Sequence, residues 1–250
     1  VLVHGMVVSG ASMVPLGRQL ASQFQVWIPD LPGFGLSPRT PSALNVTQLA
    51  EALAAWIRRT GLCRPSLVAQ SFGCQVATAV ASGFPELAGR LVLSGPTLDP
   101  RLRQWALTLL PWLRRVPRRG LMRPASPSPV DRLRPIPCRL LGRISSRGVP
   151  SLTALTVCEY LAFSLARAAR TIHHALLDPQ EQRLPGVRAA ALVVRGSEDR
   201  VTSQRWAEEV AKLLPHGRLR VLPGAGHGVN YYQPALLALE AIPFLLDAER

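Results

Sequence analysis

The sequence predicts an α/β fold, with a mostly parallel central sheet, helices on both faces and an inserted helical cap. Three observations carry this. Short apolar runs bounded by Gly, Pro or Asp recur along the chain, and their hydrophobicity is continuous rather than alternating, as in strands buried on both faces. Helical patterns lie between these runs, and strand–helix alternation is the signature of a parallel sheet covered by helices. The alternation then breaks after "LVLSGPTLDP" (91–100) and resumes near Leu184, which marks an insertion.

In chain order, the predicted strands are "VLV" (1–3), "QVWIP" (25–29), "SLVAQ" (66–70), "RLVLS" (90–94), "ALVVR" (191–195) and "RLRVL" (218–222). The clearest helix is "NVTQLAEALAAWIRRTGL". There Val46, Leu49, Leu53, Trp56 and Ile57 form one apolar stripe, Asn45 is placed to cap the start and Gly61 to end it. "FGCQVATAVASG" follows the third strand as a second helix, with Cys74, Ala77 and Ala81 small enough to let it lie close to the sheet. Residues 1–96 and 179–250 therefore form the core, and 97–178 the cap. The cap's Pro- and Arg-rich first part is followed by "SLTALTVCEYLAFSLARAARTIHHALLD", read as one or two helices.

Length and composition suit one such domain. The 250 residues, 48% of them hydrophobic and 6% aromatic, can build a core of Leu, Val and Ala. Cys63, Cys74, Cys138 and Cys158 form no CxxC pair, so neither a zinc site nor a disulfide scaffold is expected, and all four read as small buried thiols. Adjacent His173 and His174 point to different faces of their helix and make a poor metal pair. The longest apolar runs are far shorter than the roughly 20 residues of a membrane-spanning helix. No signal peptide is visible, and the default localisation is cytoplasmic. The chain opens at "VLVHG" without a Met, so residues ahead of Val1 are expected to have been removed or not sequenced.

Of the formal net charge of +14, the stretch from Thr97 to His173 carries +11, through fourteen arginines against Asp99, Asp131 and Glu159. Such a stretch could meet phosphates, but aromatics are scarce and no nucleic-acid-binding module is visible, so no specific nucleic-acid partner is expected. Trp105, Leu109, Leu110, Trp112 and Leu113 mixed with arginines could line an apolar acyl pocket or rest peripherally on an anionic membrane. A compositional bias competes with both accounts, because Lys212 is the only lysine among 29 basic residues.

The chemistry centres on "VAQSFGC". A strand that turns directly into a helix forces the residue at the junction, Ser71, into a strained conformation with its side chain at the strand tips. Bulky neighbours two positions away would collide, and those positions are Ala69 and Gly73. The competing reading of Ser71 is a helix N-cap, and a base, an acid and an oxyanion site elsewhere in the chain would separate the two. "PGAGHGV" places His227 in a glycine-rich loop after the last strand, where an imidazole can accept the serine proton. "VVRGSEDRV" places Asp199 after the penultimate strand, where a carboxylate can orient the imidazole. Glu198 and Asp99 are competing acids, with Asp199 ranked first. In "VLVHGM", His4 and Gly5 close the first strand and let the Met6 N–H, together with that of Phe72, form an oxyanion hole. His4 reads as a structural support that shapes this loop by hydrogen bonding.

These segments, "VHGM", "DLPGFGLS", "AQSFGC", "RGSEDRV" and "GAGHGVN", resemble the α/β-hydrolase superfamily, in the order Ser, Asp, His, over nearly the whole chain except the cap. The resemblance implies a nucleophile at Ser71, an acid at Asp199 and a base at His227, with no metal and no other cofactor. The family's usual hairpin ahead of the first strand is missing, which leaves 25–29 as an exposed edge strand. Serine in place of aspartate disfavours epoxide opening and halide displacement. The expected activity is that of an esterase- or lipase-like serine hydrolase acting on carboxylic esters or related acyl compounds, with an apolar small-molecule acyl substrate whose chain length is left open. Carbon–carbon bond hydrolysis, acyl transfer or perhydrolysis, and a low-turnover ligand-binding role on the same fold are the alternatives. Oligomeric state is left open.

Overall fold

The computed structural model describes residues 1–6, 8–109 and 165–247. Their strands are β1 (Leu2–Val3), β2 (Leu67–Gln70), β3 (Leu91–Ser94), β4 (Ala191–Gly196) and β5 (Gly217–Leu222). They form one sheet in that order, and every neighbouring pair is parallel. The helices are α1 (Val14–Leu20), α2 (Val46–Arg59), α3 (Phe72–Gly83), α4 (Pro100–Leu109), α5 (Leu165–Leu177), α6 (Gln180–Arg183), α7 (Gln204–Leu213), α8 (Val229–Tyr232) and α9 (Pro234–Leu246).

Side chains alternate across the sheet and feed two cores. Val3, Leu67, Ala69, Leu91, Leu93 and Val193 pack with α2, α3 and α7 on one face. Leu2, Val68, Val92, Leu192 and Val194 pack with α1 and α9 on the other. Handedness explains the sorting. From β1 to β5 the chain advances steadily in one direction, so right-handed crossovers put their helices on one face, whereas α1 leads back past β1 to residues 25–29 and lands on the opposite face.

Helix α2 starts on a reciprocal cap: Gln48 N–H donates to Asn45 Oδ1 and Asn45 N–H to Gln48 Oε1. Its buried stripe is Val46, Leu49, Leu53 and Ile57, and the half-buried Trp56 meets Trp27 edge-on at 5.9 Å. Gly61, two residues past the helix, has φ +70°.

Three sequence expectations need correction. Residues 25–29 form no strand. β1 is two residues long, and the segment's contact with it is the bond from Leu2 N–H to Trp27 C=O at 2.8 Å, too little for a ladder. Cys63 is exposed, because it lies in the loop between α2 and β2 rather than in either element; Cys74 is buried, and Cys138 and Cys158 lie outside the described residues. β5 is an edge strand rather than one buried on both faces, with Arg218 and Arg220 exposed to either side of the half-buried Leu219. These arginines pair with Asp247 at 3.7 Å and with Glu240 of α9 at 3.2 Å, charges that also discourage pairing with a stray strand.

The insertion between β3 and β4 leaves through α4 and returns through α5 and α6, while 110–164 lies outside the described residues. Its roots are tied to each other and to the core by polar contacts. Arg103 of α4 donates to Glu181 Oε1 at 2.5 Å and to the Asp178 carbonyl at 3.1 Å. Arg167 of α5 donates to the Thr40 hydroxyl at 3.4 Å and to the Thr40 carbonyl. Gln75 of α3 reaches the Ala175 carbonyl at 3.1 Å.

Candidate active site

In a parallel sheet all strands end at one rim, and each strand here delivers one piece to it. Ser71 follows β2 as the N-cap of α3, with φ 55° and ψ −121° and without a capping hydrogen bond from its side chain. For a non-glycine residue this conformation costs about 1–3 kcal/mol and is held by its surroundings. The helix can start so close to the sheet because residue 73 is glycine. A Cβ there would sit 2.5 Å from the Val3 carbonyl oxygen and 2.6 Å from that of His4.

His227 follows β5. Its Nε2 lies 2.9 Å from Ser71 Oγ and its Nδ1 2.9 Å from Asp199 Oδ2. With Asp199 ionised, Nδ1–H donates to the carboxylate and Nε2 accepts from the serine hydroxyl. Asp199 follows β4 and is 5% exposed. Its Oδ1 accepts from the N–H groups of Val201 at 2.8 Å and Thr202 at 2.9 Å. Burial alone would raise its pKa, but the His227 bond and the two backbone donors outweigh that and hold the carboxyl below its usual range.

The competing acids are placed elsewhere. Glu198 is exposed, and Asp99 Oδ1 accepts from Arg101 N–H at the start of α4. Gly5 lies beside Ser71, since a Cβ on it would come within 3.4 Å of Ser71 Cβ. This brings the Met6 backbone to the same rim, where Phe72 opens α3 and its N–H has no carbonyl one turn earlier to bond. His4 is fully buried. Its Nδ1–H donates to the Gly5 carbonyl at 2.8 Å and its Nε2 accepts from Leu31 N–H at 3.0 Å, so the ring is the neutral Nδ1–H tautomer. Desolvation lowers its pKa despite the Gly5 bond and nearby Asp30. His173 and His174 stand with ring centroids 5.9 Å apart on α5.

Two neighbours carry no sequence motif that singles them out. Gln70, buried at the end of β2, donates to the His227 carbonyl at 3.3 Å. Gly95, just past β3, lies against the imidazole, and a Cβ on it would meet His227 Cε1 and Nδ1 at 3.0 Å. The glycine in "LSGP" was the available signal.

Residues 1–241 match the model of the alpha/beta hydrolase family. The chain belongs to this family. Among curated members, it is 25% identical over 256 residues to the 2-(acetamidomethylene)succinate hydrolase of Mesorhizobium japonicum, covering 98% of this chain and 86% of that one. Among solved structures of the family's fold, a thermophilic esterase from Thermogutta terrifontis superposes with TM-score 0.70 at 22% identity, covering 98% of this chain and 88% of that one. A hydrolase from Pseudomonas aeruginosa reaches TM-score 0.72 at 18% identity, over 99% and 89%. Family membership and a hydrogen-bonded Ser–His–Asp series together give this chain the features of a serine-hydrolase site.

Proposed function

We propose that the protein hydrolyses carboxylic esters or related acyl compounds through an acyl-enzyme on Ser71. The observation that carries this is the continuous hydrogen-bonded series Asp199–His227–Ser71, ending on a hydroxyl held at φ 55°. In acylation, Ser71 Oγ attacks the carbonyl carbon and its proton passes to His227 Nε2, which delivers it to the leaving alkoxide. Asp199 holds the imidazole in the tautomer that can accept and stabilises the imidazolium that forms. The N–H groups of Met6 and Phe72 receive the developing oxyanion. Water, activated by the same imidazole, then releases the acid and restores Ser71. The insertion over residues 97–178 is the cap that would select the acyl group, and small-molecule esters with an apolar acyl group are the first substrate class to test.

One observation favours a second substrate class. The named substrate of the Mesorhizobium japonicum relative is a succinate, and the insertion here is strongly basic, so acyl compounds bearing a carboxylate belong in the same panel.

The test is labelling with a fluorophosphonate probe and turnover of short and medium p-nitrophenyl esters, with Ser71→Ala as control. Labelling and turnover are both expected, falling by about 10⁵–10⁶-fold in the variant. Equal labelling of the variant would overturn the reading. Labelling without turnover of any ester would favour the low-turnover binding role.

A further inference from the structure

We infer that Arg195 is the positioning residue for Asp199, acting through the backbone of the acid loop rather than through charge; this rests on the triad reading above. Arg195 lies on β4, one residue before the strand ends. Its guanidinium fans out beneath the loop that follows. Nε donates to the Thr202 carbonyl at 2.8 Å and Nη2 to the Asp199 carbonyl at 2.9 Å, while Nη1 reaches the Ser197 carbonyl at 3.4 Å and Gln204 Oε1 at 3.3 Å. No described carboxylate forms an ion pair with it. The charge is therefore spent on three carbonyls of one short loop.

These bonds complete a closed frame around the carboxylate. Oδ1 of Asp199 is held by the N–H groups of Val201 and Thr202, and Arg195 holds the carbonyls of Asp199 and Thr202. The loop's other side is joined to the histidine loop: Ser197 N–H donates to the Leu222 carbonyl, Glu198 N–H to that of Ala225, both at 2.9 Å, and Gly224 N–H to Ser197 Oγ at 2.8 Å. The carboxylate that orients His227 is thus referenced to β4 twice, by the Asp199 N–H bond to the Gly196 carbonyl at 3.0 Å and by the Arg195 side chain. A planar guanidinium fork can serve carbonyls in three directions at once, whereas an ammonium concentrates its donors on one atom. Lysine should therefore be a poor substitute.

The experiment compares wild type with Arg195→Met, Arg195→Lys and Gln204→Ala, the last removing a side-chain acceptor and no loop carbonyl. Three quantities are read: the maximal fluorophosphonate labelling rate, the probe concentration giving half that rate, and the far-downfield proton NMR signal of the His227 Nδ1–H. A displacement of the order of 1 Å at a reacting group costs about 100-fold in rate. Arg195→Met is expected to lose about 10–100-fold in maximal labelling rate at unchanged half-saturation, with the downfield signal broadened or lost. Arg195→Lys should recover little, and Gln204→Ala should match wild type. A folded Arg195→Met that labels within about twofold of wild type, or keeps the downfield signal, overturns the inference. If the Met variant does not fold, Arg195→Lys, which keeps the stem and the charge, decides by the same criteria. Failure of the triad reading is separable, because it shows as equal labelling of wild type and Ser71→Ala, and the NMR signal then still tests whether Arg195 holds Asp199 against His227.

Discussion

Replacing Gly95 by alanine tests whether the imidazole has any room to retreat. The added Cβ would lie 3.0 Å from His227 Cε1 and Nδ1 and 3.2 Å from Asp199 Oδ2, so the ring must give by a few tenths of an ångström. It cannot give without loss, because Nδ1 and Nε2 are each held at 2.9 Å to Asp199 and Ser71. Misalignment at this scale is expected to lower the acylation rate about 10–100-fold, equivalent to about 1.4–2.7 kcal/mol of barrier. Alanine at φ +58° adds a backbone penalty of about 1–2 kcal/mol. At about 2–4 °C per kcal/mol for a chain of this size, the melting temperature should fall by about 2–8 °C. The assay is fluorophosphonate labelling together with p-nitrophenyl ester kcat/KM, and thermal unfolding by circular dichroism. Gly61→Ala is the control. Gly61 has φ +70° but nothing within 4 Å of the new Cβ, so it should lose stability by about the same backbone penalty and keep its rate. A folded Gly95→Ala with the wild-type labelling rate would refute the packing argument.

Three further outcomes are expected. Asp199→Asn should lower kcat by about 10³–10⁴-fold by favouring the wrong imidazole tautomer, while Glu198→Gln and Asp99→Asn stay near wild type; a larger loss from either of the latter would reassign the acid. His4 is neutral and buried with its pKa lowered, so the unfolded state takes up a proton below about pH 6.5 while the native state does not. Its contribution to stability is therefore lost as pH falls below 6.5, at up to about 1.4 kcal/mol per pH unit. Denaturant titrations from pH 7 to 5 should show this slope, and show it reduced in His4→Gln. Asn45→Ala should cost about 1 kcal/mol through loss of the α2 cap, seen as a melting temperature lower by about 2–4 °C, with the labelling rate unchanged because the cap is remote from the rim.

What could be read from the sequence follows the kind of signal each feature leaves. Strands β2, β3 and β4 were legible because burial on two faces writes an unbroken apolar run, and α2 because its stripe, its Asn45 cap and Gly61 agree. The run at 25–29 carries the same writing but lacks a ladder partner beyond Trp27, and hydropathy does not encode partners. Cys63 shows the same limit, since a residue type that favours burial lies in a loop the chain exposes. At the rim, Ser71, His227 and Asp199 were proposed from strand ends and small-residue spacing, and their side chains do meet. The choice among Asp199, Glu198 and Asp99 could be ranked but not decided, because it depends on which carboxylate the loop turns inward. Arg195 and Gln70 leave no trace because the loop groups they hold are backbone carbonyls, which every residue has.

The order of the strands explains why an acid after β4 and a bare glycine after β3 belong together. Neighbouring strands stand about 4.8 Å apart, so Ser71, after β2, and Asp199, after β4, approach the rim about 9–10 Å from each other. Two hydrogen bonds with an imidazole between them fill such a gap, and one hydrogen bond alone does not. The ring must then pass over the end of β3, which lies between them. Any side chain at residue 95 would stand in that path, and its absence lets an imidazole arriving from β5 bridge two strand spacings. An acid after β3, such as Asp99, would approach the rim one spacing from the serine. The side chain of Asp99 is instead used at the start of α4, where the chain leaves the core.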